Sequence, residues 1–341
     1  MADLDLLVEL VGGSEPQVVA ADGRPREFRR ISSVLRGKEK ALVEGLIREV
    51  ERGAQPTVRV GDTGTTYLAV PVCGPDGGVN AVQIVSGADP ANSTKAAPCA
   101  VGYWEMVADS APRLHVTTGF LDIIGVPDAE RDRAVYGPLD FFQRVARTTD
   151  LVRLWEKLLA AGPGDVASGT VVIRKTDGAV GVLLYAQRHM TTESGSRVRV
   201  VLQDVSAAAD RAELGLDLLD ASVAMAITDT TEMFGAIVET RWPTPCALQW
   251  LTGYPKWAGH GVSTGQTPGL HPEDIMRVPA LLAQLAEEGI VRSTMRTRSK
   301  SLTGGWVHSR FVGRMIDPAV STSICLMLVH AEPLGVESED G

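Results

Sequence analysis

The sequence predicts an α+β protein made of repeated units, antiparallel sheets with helices packed on them, and two observations carry that prediction. Three helix-patterned segments, residues 39–52, 139–161 and 272–288, each close on a glycine, Gly53, Gly162 and Gly289. A residue free to take positive φ is a common helix stop. Each stop is followed by three strand-like runs: 57–60, 65–73 and 79–86, then 168–175, 180–190 and 197–205, then 291–300, 306–315 and 321–330.

Each element has its own warrant. In the first unit Leu42, Val43, Leu46, Ile47 and Val50 make one apolar helical stripe, and Pro75-Asp76-Gly77-Gly78 supplies a hairpin turn. In the middle unit Leu151, Leu154, Trp155, Leu158 and Leu159 follow the same spacing, which predicts that Trp155 is buried against the middle sheet. Asp177-Gly178 and Ser194-Gly195 separate its strands. In the third unit His271-Pro272-Glu273-Asp274 opens a helix with proline at its first position and acids in its first turn. Ile275, Val278, Leu282 and Leu285 form its inner face, and Pro279 is a point of kinking or restart. Gly304-Gly305 marks the hairpin that follows.

The expected organisation is a first domain over 1–88, a linker over 89–99, a middle domain over 100–206, a connecting helix over 207–219, a third domain over 220–331 and a disordered acidic tail over 332–341. A chain of 341 residues, 44% hydrophobic and 22% charged, is long enough for two or three ordinary cores. No apolar run reaches the roughly 20 residues that span a bilayer, and acids stand where a signal peptide wants cations. No membrane association is expected, and the expected location is cytoplasmic. The formal charge of −9 argues against nucleic acid as a partner. Cys73, Cys99, Cys246 and Cys325 are too far apart for a zinc or redox motif, and read as buried thiols.

The third unit resembles a PAS domain, the small α+β sensor fold. The resemblance rests on Leu251-Thr252-Gly253-Tyr254-Pro255, His271-Pro272-Glu273-Asp274, Arg296-Thr297-Arg298 and Gly305-Trp306-Val307, in that order. The middle unit is similar in a more divergent way, through Gly102-Tyr103-Trp104-Glu105, Ile124-Gly125-Val126, Thr176-Asp177-Gly178 and Gln203-Asp204-Val205-Ser206. The first unit fits either a shortened PAS or the related GAF fold. As a whole the chain resembles three-domain PAS/GAF-like proteins of actinobacteria, which implies signal transduction by analogy of fold.

Enzyme signatures are few. Gly261-Val262-Ser263-Thr264-Gly265 matches the G-x-S-x-G nucleophile elbow, with His271 and Asp274 behind it. It lacks the strand before the serine and the helix after it, so a hydrolase centred on Ser263 is the alternative reading, not the first. No P-loop, dinucleotide fingerprint or H-E-x-x-H is present, and neither catalytic nor metal-ligating residues are assigned. Any cofactor is left unidentified. The asparagine-cysteine-arginine segment of flavin photosensors is missing, so covalent flavin chemistry is not expected, and isolated histidines do not point to haem.

Two groups of residues are candidates for binding. Trp104, Phe120, Phe141, Trp155, Trp250, Tyr254, Trp257, Trp306 and Phe311 could line small-molecule pockets, against the plainer reading of aromatic core. Arg296, Arg298 and Lys300 alternate on one strand with Arg310 and Arg314 on the next. They form either a cationic stripe for an anion or acidic partner, or a solvated sheet face. The expected function is a non-enzymatic sensor or adaptor that takes a protein partner or a small ligand. Self-association to a homodimer is among the expected contacts, and a ligand-free scaffold is a further alternative.

Overall fold

A computed structural model describes residues 4–10, 15–87, 97–106, 108–131, 133, 135–175, 178–192, 195–207, 233–253, 255–257, 270–299, 305–316, 321–330 and 332–337. Its strands are β1 (Asp5–Glu9), β2 (Gln17–Ala21), β3 (Arg24–Arg30), β4 (Thr57–Val60), β5 (Thr66–Cys73), β6 (Val79–Gly87), β7 (Cys99–Met106), β8 (Arg113–Val116), β9 (Val166–Arg174), β10 (Val180–Thr192), β11 (Gly195–Asp204), β12 (Met233–Glu239), β13 (Cys246–Trp250), β14 (Ile290–Arg298), β15 (Trp306–Met315), β16 (Ile324–His330) and β17 (Gly335–Glu337). The helices are α1 (Ile31–Val34), α2 (Gly37–Gly53), α3 (Thr118–Ile124), α4 (Pro138–Phe142), α5 (Thr148–Ala160), α6 (Pro272–Ile275) and α7 (Val278–Glu288).

The strands form three antiparallel sheets, so the α+β expectation holds. The second runs β8-β7-β11-β10-β9 and the third β13-β12-β16-β15-β14, with β17 on β15. Numbered within each unit, both orders are 2-1-5-4-3. The first sheet, β3-β2-β1-β6-β5-β4, has the same order with β3 added at one edge. The tandem repeat inferred from helix stops and strand runs is thus a repeat of topology.

The chain divides into two compact units. One comprises residues 1–106, 114–135 and 157–215, the other 107–113, 136–156 and 216–341. The first unit holds the first two sheets. α2 lays Val43, Leu46, Ile47 and Val50 on one face of the first sheet, against Leu6, Val8 and Ile84. The opposite face packs on the second sheet, with Leu7, Val19, Phe28 and Ala81 meeting Val101, Val182, Leu184 and Val201. α3 covers the other side of β7, where Gly102 permits close approach: a Cβ there would stand 2.9 Å from the His115 carbonyl oxygen and 3.1 Å from the Phe120 ring.

The second unit holds the third sheet together with α4 and residues 148–156 of α5. Its core includes Val238, Leu285, Val291, Phe311 and Val329. Here the structure departs from the sequence expectation. Trp155 is fully buried, but its indole donates to Glu239 Oε2 at 2.6 Å and its ring meets Phe142 and Trp242 edge-on. The stripe predicted the burial and could not predict the partner, because periodicity fixes which face is apolar, not which sheet receives it.

Two predicted helices are each split. Residues 139–161 form α4 and α5, and Asp150 stands in the first turn of α5, where the helix dipole favours an acid. Residues 272–288 form α6 and α7, with Pro279 in the first turn of α7, where its missing N–H costs no hydrogen bond. Of the three glycine stops, Gly289 is a left-handed cap, with φ 70°. At the end of α2 that conformation falls on Ala54 with φ 49°, and after α5 on Gly164 with φ 89°.

Candidate functional site

The sequence-derived aromatics do not gather. Trp104 and Phe120 are core residues of the first unit, and Phe141, Trp155 and Phe311 are buried in the second. Trp250 and Trp257 pack on the core of the third sheet. Trp306 is half-buried, with His271 edge-on at 5.0 Å and the Arg298 guanidinium 4.7 Å from its ring centre. Tyr254 lies outside the described residues, as do Ser263 and Lys300. Most of these aromatics therefore fill interior, as apolar residues at helix and strand positions ordinarily do.

The cationic stripe is partly occupied by carboxylates. Arg296, opposite His308 on β15, donates through Nε to Asp274 Oδ2 at 3.1 Å and also reaches Glu273. Its backbone N–H donates to Asp274 Oδ2 at 2.7 Å, and Arg277 donates to Oδ1 at 3.0 Å. Burial alone would raise the Asp274 carboxyl, but the Arg296 and Arg277 donors together hold it below the usual aspartate range. Arg310 and Arg314 share the strand face and are exposed.

Glu239, with no exposed surface, is the other saturated carboxylate of the second unit. Besides the Trp155 indole, Ser323 Oγ donates to Oε2 at 3.0 Å and the Arg241 backbone N–H to Oε1 at 2.7 Å. Burial, with Glu239 adding, pushes the neighbouring Cys246 and Cys325 thiols up to about 12. Thiols so shifted stay protonated and inert at neutral pH.

The best-formed candidate for a binding site lies in the first unit, a half-open cavity of about 600 Å³. Its buried wall comes from β10 and β11. Even-numbered residues of β10, Val182, Leu184 and Ala186, face the first sheet, so Gln187 and His189 point to the other side, beside Val198 of β11. Lys157 and Ala160 line it from the end of α5, Asp165 from the loop that follows, and Ala167 from β9. Glu27 and Phe28 of β3 complete it.

Gln187 and His189 are 6% and 8% exposed. His189 Nε2 is 2.5 Å from Ser196 Oγ, while its buried Nδ1 has no partner among the described residues. No carboxylate meets His189 Nδ1 among the described residues. The orienting acid of a triad would belong at Nδ1, and the nearby Asp165 instead accepts from the Gly162 N–H at 2.8 Å.

The β3 side is built by strain. Val18 and Ala20, two positions apart on β2, pair with Arg29 and Pro25, four positions apart on β3. The excess is a bulge, and within it Glu27 and Phe28 both take positive φ, 48° and 57°. Left-handed backbone costs about 1–2 kcal/mol per residue for L-amino acids. Phe28 is held by burial and by the Arg188 guanidinium, 4.8 Å from its ring centre. Arg188 is fixed in turn by Glu9, to which its Nε donates at 2.9 Å, and by Gln17 at 2.6 Å.

None of the cavity residues was singled out from the sequence. The only signal was polar Gln187 and His189 two apart at the end of an apolar run, and Arg188 between them hid the alternation by making the stretch read as a strand end.

Comparison with known proteins gives a fold and little more. Residues 5–93 match the family described as Rv3651-like, N-terminal. Over 96% of its length the chain is similar to 96% of an uncharacterised protein from Mycobacterium tuberculosis, solved by crystallography, with a TM-score of 0.71 and 18% identity. A sensory box histidine kinase/response regulator from Burkholderia thailandensis aligns over 36% of this chain and 87% of that one, at TM-score 0.25 and 16% identity. An RNA-binding light-oxygen-voltage receptor aligns over 67% and 94%, at TM-score 0.26 and 9% identity. Scores at that level do not establish a shared fold. No curated protein matches the chain.

Proposed function

We propose that the protein is a non-enzymatic sensor or adaptor that binds a small polar ligand in the cavity of its first unit and passes the change in population to a protein partner. The observation that carries this reading is a cavity of about 600 Å³ whose buried wall presents an amide and an imidazole, Gln187 and His189. Ligand sites are concave and combine apolar walls with placed polar groups, and here Phe28, Val198 and alanines stand beside the Gln187 amide and the His189 imidazole. The strained Glu27–Phe28 bulge supplies a segment of high local energy that occupancy can bias, which is where switching segments are found. The site of action is cytoplasmic in this reading, and the partner is reached through the segment after Ser206.

Native mass spectrometry of the intact protein purified from its own cells tests the proposal. A retained mass of a few hundred daltons, lost in Gln187→Leu while the fold is kept, is the expected result. Identical spectra for the two proteins would remove its basis.

A further inference from the structure

We infer that the cavity takes a zwitterionic ligand of amino-acid type, a free amino acid or a short peptide, an inference that rests on the ligand-binding reading above. Charges of both signs line one cavity without neutralising each other. Lys157 makes no ion pair among the described residues, although Glu27 and Asp165 line the same space. The ammonium stands more than 4.0 Å from both carboxylates. Glu27 has only a 4.0 Å contact with Arg29, each side chain mostly exposed, and Asp165 has only the Gly162 N–H.

Such a layout discriminates by charge. A monoanion drawn to Lys157 meets two carboxylates, and a monocation drawn to Glu27 or Asp165 meets the ammonium. A molecule carrying both charges a few bonds apart satisfies both signs and leaves no group facing its like. The three charged side chains are exposed at the mouth and keep their water when the site is empty. The buried Gln187 amide and the Phe28 wall then meet the uncharged part of the ligand. The volume of about 600 Å³ admits a single amino acid or two to three linked residues.

The test is calorimetric titration of the intact protein with each of the twenty free L-amino acids and with alanyl-alanine, followed by the N-acetyl and methyl ester forms of whatever binds. The expected outcome is at least one uncapped ligand that loses tenfold or more in affinity with either cap, as for removal of one charge-assisted contact of about 1.4 kcal/mol. Lys157→Met should weaken the free carboxylate form and leave the methyl ester unchanged, which assigns the carboxylate to Lys157. Binding by alanyl-alanine alone identifies a peptide as the source, and binding by a free amino acid identifies that. Affinity indifferent to both caps, or no binding by any of these compounds, overturns the inference. If a Gln187-dependent mass is still retained in the spectrometer, the sensor reading survives that failure. If no such mass is seen, both fall.

Discussion

Glu239 and His189 are both buried and polar, and the two units treat them in opposite ways. Glu239 receives an indole N–H, a hydroxyl and a backbone N–H, so both its oxygens are hydrogen-bonded and the residue fastens α5 to the third sheet. His189 has one nitrogen against Ser196 and the other against nothing among the described residues, on the wall of a cavity. Saturated polar burial holds a structure in one arrangement. Unsaturated polar burial costs stability, and a fold keeps it where something else is gained.

Mutations separate the two cases, beginning with the largest effect. Trp155→Ala removes a fully buried ring and a donor to Glu239, and is expected to cost the second unit about 3–5 kcal/mol. Denaturant unfolding of the intact protein measures it, and a transition indistinguishable from the parent would show that α5 is not fastened there. Glu239→Gln keeps the volume but turns one acceptor into an NH₂ group facing donors. Its expected cost is about 1–3 kcal/mol, and a stabilised protein would show that the site is not saturated as described.

Asp274 adds a dependence on pH. Its folded pKa is depressed, so its contribution is present above the ordinary aspartate value of about 3.9 and is lost as pH falls through the lower folded value. Asp274→Asn should therefore be less stable than the parent by about 1–2 kcal/mol at neutral pH, with the difference closing below about pH 4. Parallel stability curves across that range would mean that the Arg296 and Arg277 contacts contribute nothing electrostatic. The smallest effect is expected in the cavity. His189→Leu removes the unpartnered Nδ1 and the Nε2 contact to Ser196, whose half-buried hydroxyl can turn to water, so stability should change by less than about 1 kcal/mol. A large loss would place His189 with Glu239 as a structural group.

The same contrast decides what was legible in the sequence. Helical stripes and turn residues located α2, α5 and the three strands after each helix, because an apolar helical face, a glycine stop and turn residues between the runs bracket each of them. β1 and β2 were missed: both are buried on nearly every residue, so the alternation that marks a strand is absent. The partner of Trp155 was invisible because sequence spacing carries no information on which sheet receives a helix. The cavity was hidden for a related reason. Its β3 wall lies more than a hundred residues before the walls from the end of α5 and from β10, and its strain resides in Glu27 and Phe28, whose identities give no hint of left-handed backbone.

The three sheets share one strand order, and β3 is the strand by which the first departs from the other two. That extra strand carries Glu27 and Phe28. Under the proposed function, relatives that keep the shared order but lack a bulged β3 would lack this wall of the cavity, and aligning them on this strand tests the ligand-binding reading without a single engineered variant.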